Sequence, residues 1–162
     1  MLRQFMLTVF AIMSLSATSA YGVESYQTDT MYRALIKSVD VNDFDLMAAQ
    51  YHRDAVLVSK KKTELISQSF KRWRADGKKI AQSGGKAELR MRFNNRVIND
   101  DSAYETGIYH YRKLDKNGKV TFEYYMSFAD LNVKVNGNWQ IIMERNVEKS
   151  TEAEFNTLPE WH

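Results

Sequence analysis

The chain has no cysteine, a single proline, seven glycines and three histidines among its 162 residues. Without cysteine there can be no disulfide framework, no thiolate-bound zinc and no thiol nucleophile. Excess charge of one sign is also lacking. The net charge is +3, and one of those charges, Arg3, lies in the first twenty residues, which leaves little basis for nucleic-acid binding. A basic region, Lys60-Lys61-Lys62 with Lys71, Arg72, Arg74, Lys78 and Lys79, reads as a solvated helix face and its approaches. No phosphate-binding glycine loop, serine nucleophile elbow or zinc-protease motif occurs, and His52 with Asp54 has no assured third metal ligand. Neither a cofactor nor a metal is therefore expected.

Long hydrophobic runs are missing too. The uncharged stretch Phe5 to Leu15 follows Arg3 and precedes the small residues Ser16-Ala17-Thr18-Ser19-Ala20. A helix of that length spans about 16 Å, roughly half a bilayer core, so stable membrane insertion is not expected. A positive start, an apolar middle and small residues at Thr18 and Ala20 make a signal peptide over 1–20, cleaved near Ala20-Tyr21. The destination is then the periplasm or the medium. What remains is the size of one domain, 21–149, with a tail over 150–162.

The body begins with helical spacing. Tyr32, Leu35, Ile36 and Val39 make one apolar stripe in a helix over about 25–39, and Asp40, Asn42 and Asp43 break the pattern and supply a candidate cap for a second helix from Phe44 to Tyr51. Ala55 to Val58 suits a short strand. Thr63 can cap a third helix through Asp76, with Leu65, Ile66, Ser69, Phe70 and Trp73 on its buried side and Gly77 after its last turn. The period then changes to two: Ala87, Leu89, Met91 and Phe93 alternate with polar residues, and strands over 103–112, 120–135 and 139–147 follow, with Asn117-Gly118 and Asn136-Gly137 as hairpin turns. Helices followed by a meander argue for an α+β domain. In the strand 120–135, Phe122 to Phe128 and Ala129 to Val135 fall in opposite phases, so a bulge near Phe128 to Asp130, or burial of both faces, is expected. Thr151 and Glu154 form a possible capping box for a short C-terminal helix carrying Phe155.

Three phrases occur in order: Asp43-Phe44-Asp45 with Tyr51-His52-Arg53-Asp54-Ala55-Val56, then Ser102-Ala103-Tyr104-Glu105-Thr106-Gly107, then Val135-Asn136-Gly137-Asn138-Trp139-Gln140-Ile141-Ile142. Together they resemble the NTF2-like superfamily, and most nearly its SnoaL-like or DUF4440-type branch, related in fold to ketosteroid isomerase. The resemblance implies a cone, a curved mixed or antiparallel sheet wrapped around three N-terminal helices. It also implies a small apolar or mixed-polarity ligand at the open end and a homodimer through the convex sheet. Members include isomerases, cyclases and dehydratases as well as noncatalytic binding domains, so fold alone selects no reaction. The isomerase base falls on Ser59 and the helix tyrosine on Leu35, which disfavours steroid-type isomerisation; Asp130 lies near the segment of the oxyanion-hole acid.

Among the residues themselves, Glu105, His110 and Asp130 are the acid–base candidates, and Tyr32, Trp73, Tyr109 and Tyr125 the ligand-contacting ones. The strand 103–112 offers two phases, one with Glu105, Gly107, Tyr109 and Tyr111, the other with Tyr104, Thr106, Ile108 and His110. Either can face inward. Glu105 has a structural alternative, pairing with Arg90 or Arg92 across the sheet. The expected function is an exported small-molecule-binding protein whose ligand is apolar or aromatic with a polar group. The alternatives are a cofactor-independent isomerase, cyclase or dehydratase using a pocket carboxylate, and a dimerisation or protein-interaction domain.

Overall fold

The computed structural model describes residues 26–161. The leader over 1–20 and its cleavage position lie outside the described residues. Helices α1 (Asp29–Asp40) and α2 (Phe44–Ala49) lead into β1 (Tyr51–Val58) and the short β2 (Thr63–Leu65). Helix α3 (Ile66–Gln82) is followed by four long strands, β3 (Lys86–Ile98), β4 (Ser102–Leu114), β5 (Val120–Val135) and β6 (Asn138–Ser150), and by α4 (Glu152–Thr157). They form one six-stranded sheet in the order β2-β1-β6-β5-β4-β3, antiparallel except where β1 runs parallel to β6. This is the expected α+β cone: the curved, unclosed sheet holds helices α1, α2 and α3 on its concave side.

Burial explains the helices. Asp43 caps α2, its side chain accepting from the amides of Asp45 and Leu46. Tyr32 and Leu35 of α1 meet Met47, Tyr51, Phe93 and Phe128 in one apolar core. Tyr32 packs edge-on to Phe93 at 4.9 Å, and Phe93 to Phe128 at 5.7 Å, geometries that favour aromatic pairs. None of the described helices is long and apolar enough to cross a membrane.

Both ends of the third helix differ from expectation. Thr63 belongs to β2, and α3 starts at Ile66 and runs on to Gln82, so Gly77 lies inside the helix. Its missing side chain makes room for Phe44, whose ring edge lies 2.6 Å from where a Cβ would stand. A glycine that reads as a helix stop is thus a contact between α3 and the start of α2. Asp54, weighed with His52 as a metal ligand, lies within β1, is exposed and accepts from Arg53 Nε at 3.3 Å.

The phase of β5 is the most consequential difference. Its pairing with β4 is unbroken from Phe122 to Val133. The expected bulge falls instead on β6, where Ile142 and Val147 are the extra residues opposite β5. The inward set of β5 continues from Phe128 through Asp130 and Asn132, both buried, while Leu131 on the outer face is 37% exposed. A further bulge, at Asn94 and Asn95 of β3, turns Arg96 inward to face Glu105. Gly107 sits beside it, where a Cβ would collide with the Arg92 carbonyl oxygen and stand 2.8 Å from the Phe128 ring.

Candidate functional site

The bulges at Ile142 of β6 and at Asn94 and Asn95 of β3 assemble a polar row across the concave face. Arg96 of β3 pairs with Glu105 of β4, Glu105 with Asp130 of β5, and Asp130 with Glu144 of β6. Three carboxylates thus occupy neighbouring strands, beneath helix α1.

One half of this row is neutralised. Arg96 donates to Glu105 from Nε at 2.6 Å and pairs with Asp29 at 2.7 Å. Its guanidinium lies between the rings of Tyr26 and Phe93, 4.1 Å from each centroid. Thr28, at the start of α1, donates to Glu105 at 2.9 Å, and Asn132 donates to the other carboxylate oxygen at 2.6 Å. Glu105 is fully buried, and its partner is Arg96, not Arg90 or Arg92 as read from the sequence.

The other half has no cation. Asp130 is 2% exposed and accepts from the Tyr32 hydroxyl at 3.1 Å, while its second oxygen has no hydrogen-bond partner among the described residues. Burial, then the nearby Glu144 charge, push the Asp130 carboxyl well above the usual carboxylate range. Glu144 is pushed up by burial as well, and accepts from the Tyr51 hydroxyl at 2.6 Å. Two desolvated acids facing each other hold a proton between them more readily than two negative charges.

Glu144 opens on a cavity of about 410 Å³. Its walls come from Leu35 and Val39 of α1, Trp73 of α3, Met91 of β3, Tyr109 of β4 and Tyr124 of β5, with Asn146 beside Glu144 on the floor. Tyr109 donates to the Asn146 amide oxygen at 3.0 Å, which fixes the ring against the floor. At the mouth, Lys113 stands 3.8 Å from Asp76, over the half-exposed ring of Phe122.

The sequence candidates divide accordingly. Trp73 and Tyr109 line the cavity. Tyr32, Glu105 and Asp130 lie behind it in the buried network. His110 and Tyr125 lie outside it, on the outer face: their rings stack at 4.1 Å beneath Phe155 of α4, and His110 Nε2 meets Glu123 at 3.0 Å. The reason is strand alternation, since Glu105, Gly107, Tyr109 and Tyr111 take the inward phase of β4. Ser59 forms the turn after β1, bonding Lys62. Glu144, Tyr51 and Asn146 were not singled out by sequence; the bulge at Ile142 hides the inward phase of β6.

Solved structures share this architecture. Aln2 from a Streptomyces species superposes with a TM-score of 0.62 at 16% identity, over 73% of this chain and 85% of that one. An NTF-2-like protein of unknown function from Shewanella oneidensis gives 0.59 at 14% identity, over 74% and 95%. A ketosteroid isomerase-like protein from Erwinia carotovora atroseptica gives 0.53 at 16%, over 76% and 93%. No protein-family model and no curated protein matches the sequence. The class is a curved-sheet cone with a helix-covered interior. The chain has the NTF2-like fold, as its three sequence phrases suggested.

Proposed function

We propose that the protein is an exported small-molecule-binding protein whose ligand is an apolar or aromatic compound bearing a polar group. The observation that carries this reading is the placement of the Glu144 carboxylate, beside Asn146, on the floor of a cavity of about 410 Å³ whose walls are mainly aromatic and aliphatic. That volume falls within the range of small-molecule sites, and a few polar anchors in a mainly apolar wall are how such sites orient a ligand. Titration with 2-naphthol by calorimetry tests it. Saturable one-to-one binding is expected, lost in Ala87→Trp, which fills the cavity from β3. No binding, or binding indifferent to that substitution, overturns the reading.

A second reading rests on the Asp130–Glu144 pair. A desolvated carboxylate beside an acid that holds a proton is equipped for cofactor-independent proton transfer of the isomerase or dehydratase kind. Glu144 is the base in this reading and Asp130 the group that stores the proton. Deuterium exchange at the α-carbons of 2-tetralone, followed by NMR, measures it; a rate unchanged by Glu144→Gln sinks it.

The outer face supports a homodimer. Val97, Tyr104, Leu131, Met143 and Val56 are cross-strand neighbours in one row across five strands, and Val97, Tyr104 and Leu131 are 52%, 43% and 37% exposed. A contiguous apolar stripe of this kind is characteristic of a protein contact.

A further inference from the structure

We propose that the polar group of the ligand is a cationic amine, so that the cavity takes an organic ammonium compound. This rests on the reading of the cavity as a binding site and deepens it.

Charge is the first argument. Of the ionisable residues lining the cavity, Lys113 and Asp76 stand together at the mouth and compensate each other. Glu144 on the floor has no cationic partner among the described residues, and Asp130 behind it adds a second uncompensated acid. The buried arginine, Arg96, is committed to Asp29 and Glu105. An anionic ligand would meet repulsion at the floor with nothing to offset it. A neutral hydroxyl could donate to Glu144 but would leave the acidic pair without a counter-charge. An ammonium supplies both the donor and the charge, and charge-assisted hydrogen bonds are about twice as strong as neutral ones.

The walls are the second argument. Tyr51, Trp73, Tyr109 and Tyr124 line the cavity around Glu144. The Tyr51 hydroxyl is taken up by Glu144 and that of Tyr109 by Asn146, so these two rings serve as walls with their polar tips already engaged. Aromatic faces attract cations through the ring quadrupole, and surrounding a desolvated ammonium with several of them strengthens the attraction. The hydrocarbon part of the ligand would lie against Leu35, Val39 and Met91.

Three matched probes test the charge separately from the cavity: 4-phenylbutylamine, 4-phenylbutanol and 4-phenylbutanoate, titrated calorimetrically into the full chain at neutral pH. The amine is expected to bind about tenfold or more tightly than the alcohol, and the acid not detectably. Glu144→Gln should bring amine and alcohol to within about twofold. Tyr124→Leu, which removes a ring and no charge, should weaken the amine more than the alcohol. An alcohol that binds as well as the amine, or an acid that binds best, overturns the ammonium while leaving the cavity as a binding site. A preference for the amine that survives both substitutions overturns it as well. Failure of all three probes rejects the cavity reading together with the ammonium.

Discussion

Asp130 stands directly opposite Glu144 on the concave face, with Glu105 as its neighbour on the other strand, and Arg96 neutralises Glu105 alone of the three. Directly opposed residues on adjacent strands have α-carbons about 5 Å apart, too close for two buried carboxylates to share one face as anions without a large cost. The row is therefore an ion pair joined to a pair of acids that burial pushes towards holding a proton, and each half has its own energetic signature.

The acidic half makes stability fall with rising pH. The folded chain holds the Asp130 carboxyl well above its ordinary 3.8, so the folded state keeps a proton that the unfolded state releases. The group's contribution is fully present below the unfolded value and is lost as pH rises through the folded one. Asp130→Asn has no proton to lose. Relative to that variant, the wild type should lose stability as pH rises from 3.8 towards the higher folded value, with a slope no steeper than about 1.4 kcal/mol per pH unit for one proton. Urea unfolding of both proteins across this range checks it. A wild type that gains on the variant as pH rises refutes the held proton.

The ion-paired half should behave oppositely to a surface salt bridge. Arg96→Met leaves Asp29 and Glu105 buried without their cation, which should cost about 3–5 kcal/mol in denaturant unfolding. Adding Glu105→Gln to that variant should return part of the loss, because one uncompensated charge disappears. If the double variant is no more stable than the single one, Glu105 is not held as a buried anion by Arg96.

The boundary between what periodicity shows and what it hides runs through the bulges. The helices, the meander and the three ordered phrases were legible because they rest on apolar spacing and turn chemistry, as at Tyr32, Asp43 and Asn136-Gly137. The site was not, because its residues reach the interior by breaking the alternation. Strict alternation from Phe93 would put Arg96 outside, and from Ile141 would put Glu144 outside; one extra residue in each strand reverses both. In β5 the opposite error arises. The alternation is intact, but Asp130 and Asn132 occupy inward positions where apolar residues were expected, so counting hydrophobic residues suggests a phase change that the backbone does not make. Glu105, Tyr109 and Asp130 were nevertheless among the candidates, the first two from one of the two phases left open for β4, and Asp130 from its place near the oxyanion-hole acid in the family resemblance.

Gly77 provides a packing test. In an exposed helix interior, alanine in place of glycine would gain about 1 kcal/mol. Here the new methyl meets the Phe44 ring and the Asn42 side chain. Overpacking of this kind costs about 1–3 kcal/mol, so Gly77→Ala should be neutral to destabilising in thermal unfolding. Phe44→Leu in the same background should relieve it. A variant that is simply stabilised by alanine shows that α2 yields freely.

The tail should act as a fastener across the β3 edge. Thr151 and Glu154 form the expected capping box of α4, and Phe155 packs on the His110 and Tyr125 rings. Arg92 donates to the carbonyls of Phe155 and Leu158, at 3.2 and 3.0 Å. The chain then carries Trp161 to Phe93, at 5.3 Å between centroids, and to Asp29, at 3.1 Å from its indole nitrogen. Trp161→Ala should cost about 1–3 kcal/mol, less than a fully buried tryptophan because the ring is half-exposed. Trp161→Phe should cost about 1 kcal/mol, the share of the hydrogen bond. Equal losses for the two would assign the whole effect to Asp29.

The outer stripe makes the oligomeric state a question of one side chain. Leu131 lies at its centre, between Tyr104 and Met143, with more than a third of its surface exposed. If two copies meet through this face, Leu131→Lys places two like charges in an apolar contact and leaves each without a partner, while in the single chain it only adds a solvated amine to an exposed strand position. Light scattering should therefore find a dimer for the wild type and a monomer for the variant at the same concentration. Their circular dichroism should be the same. A wild type that is monomeric at high concentration removes the dimer proposal, and a dimer that tolerates Leu131→Lys moves the contact to another surface.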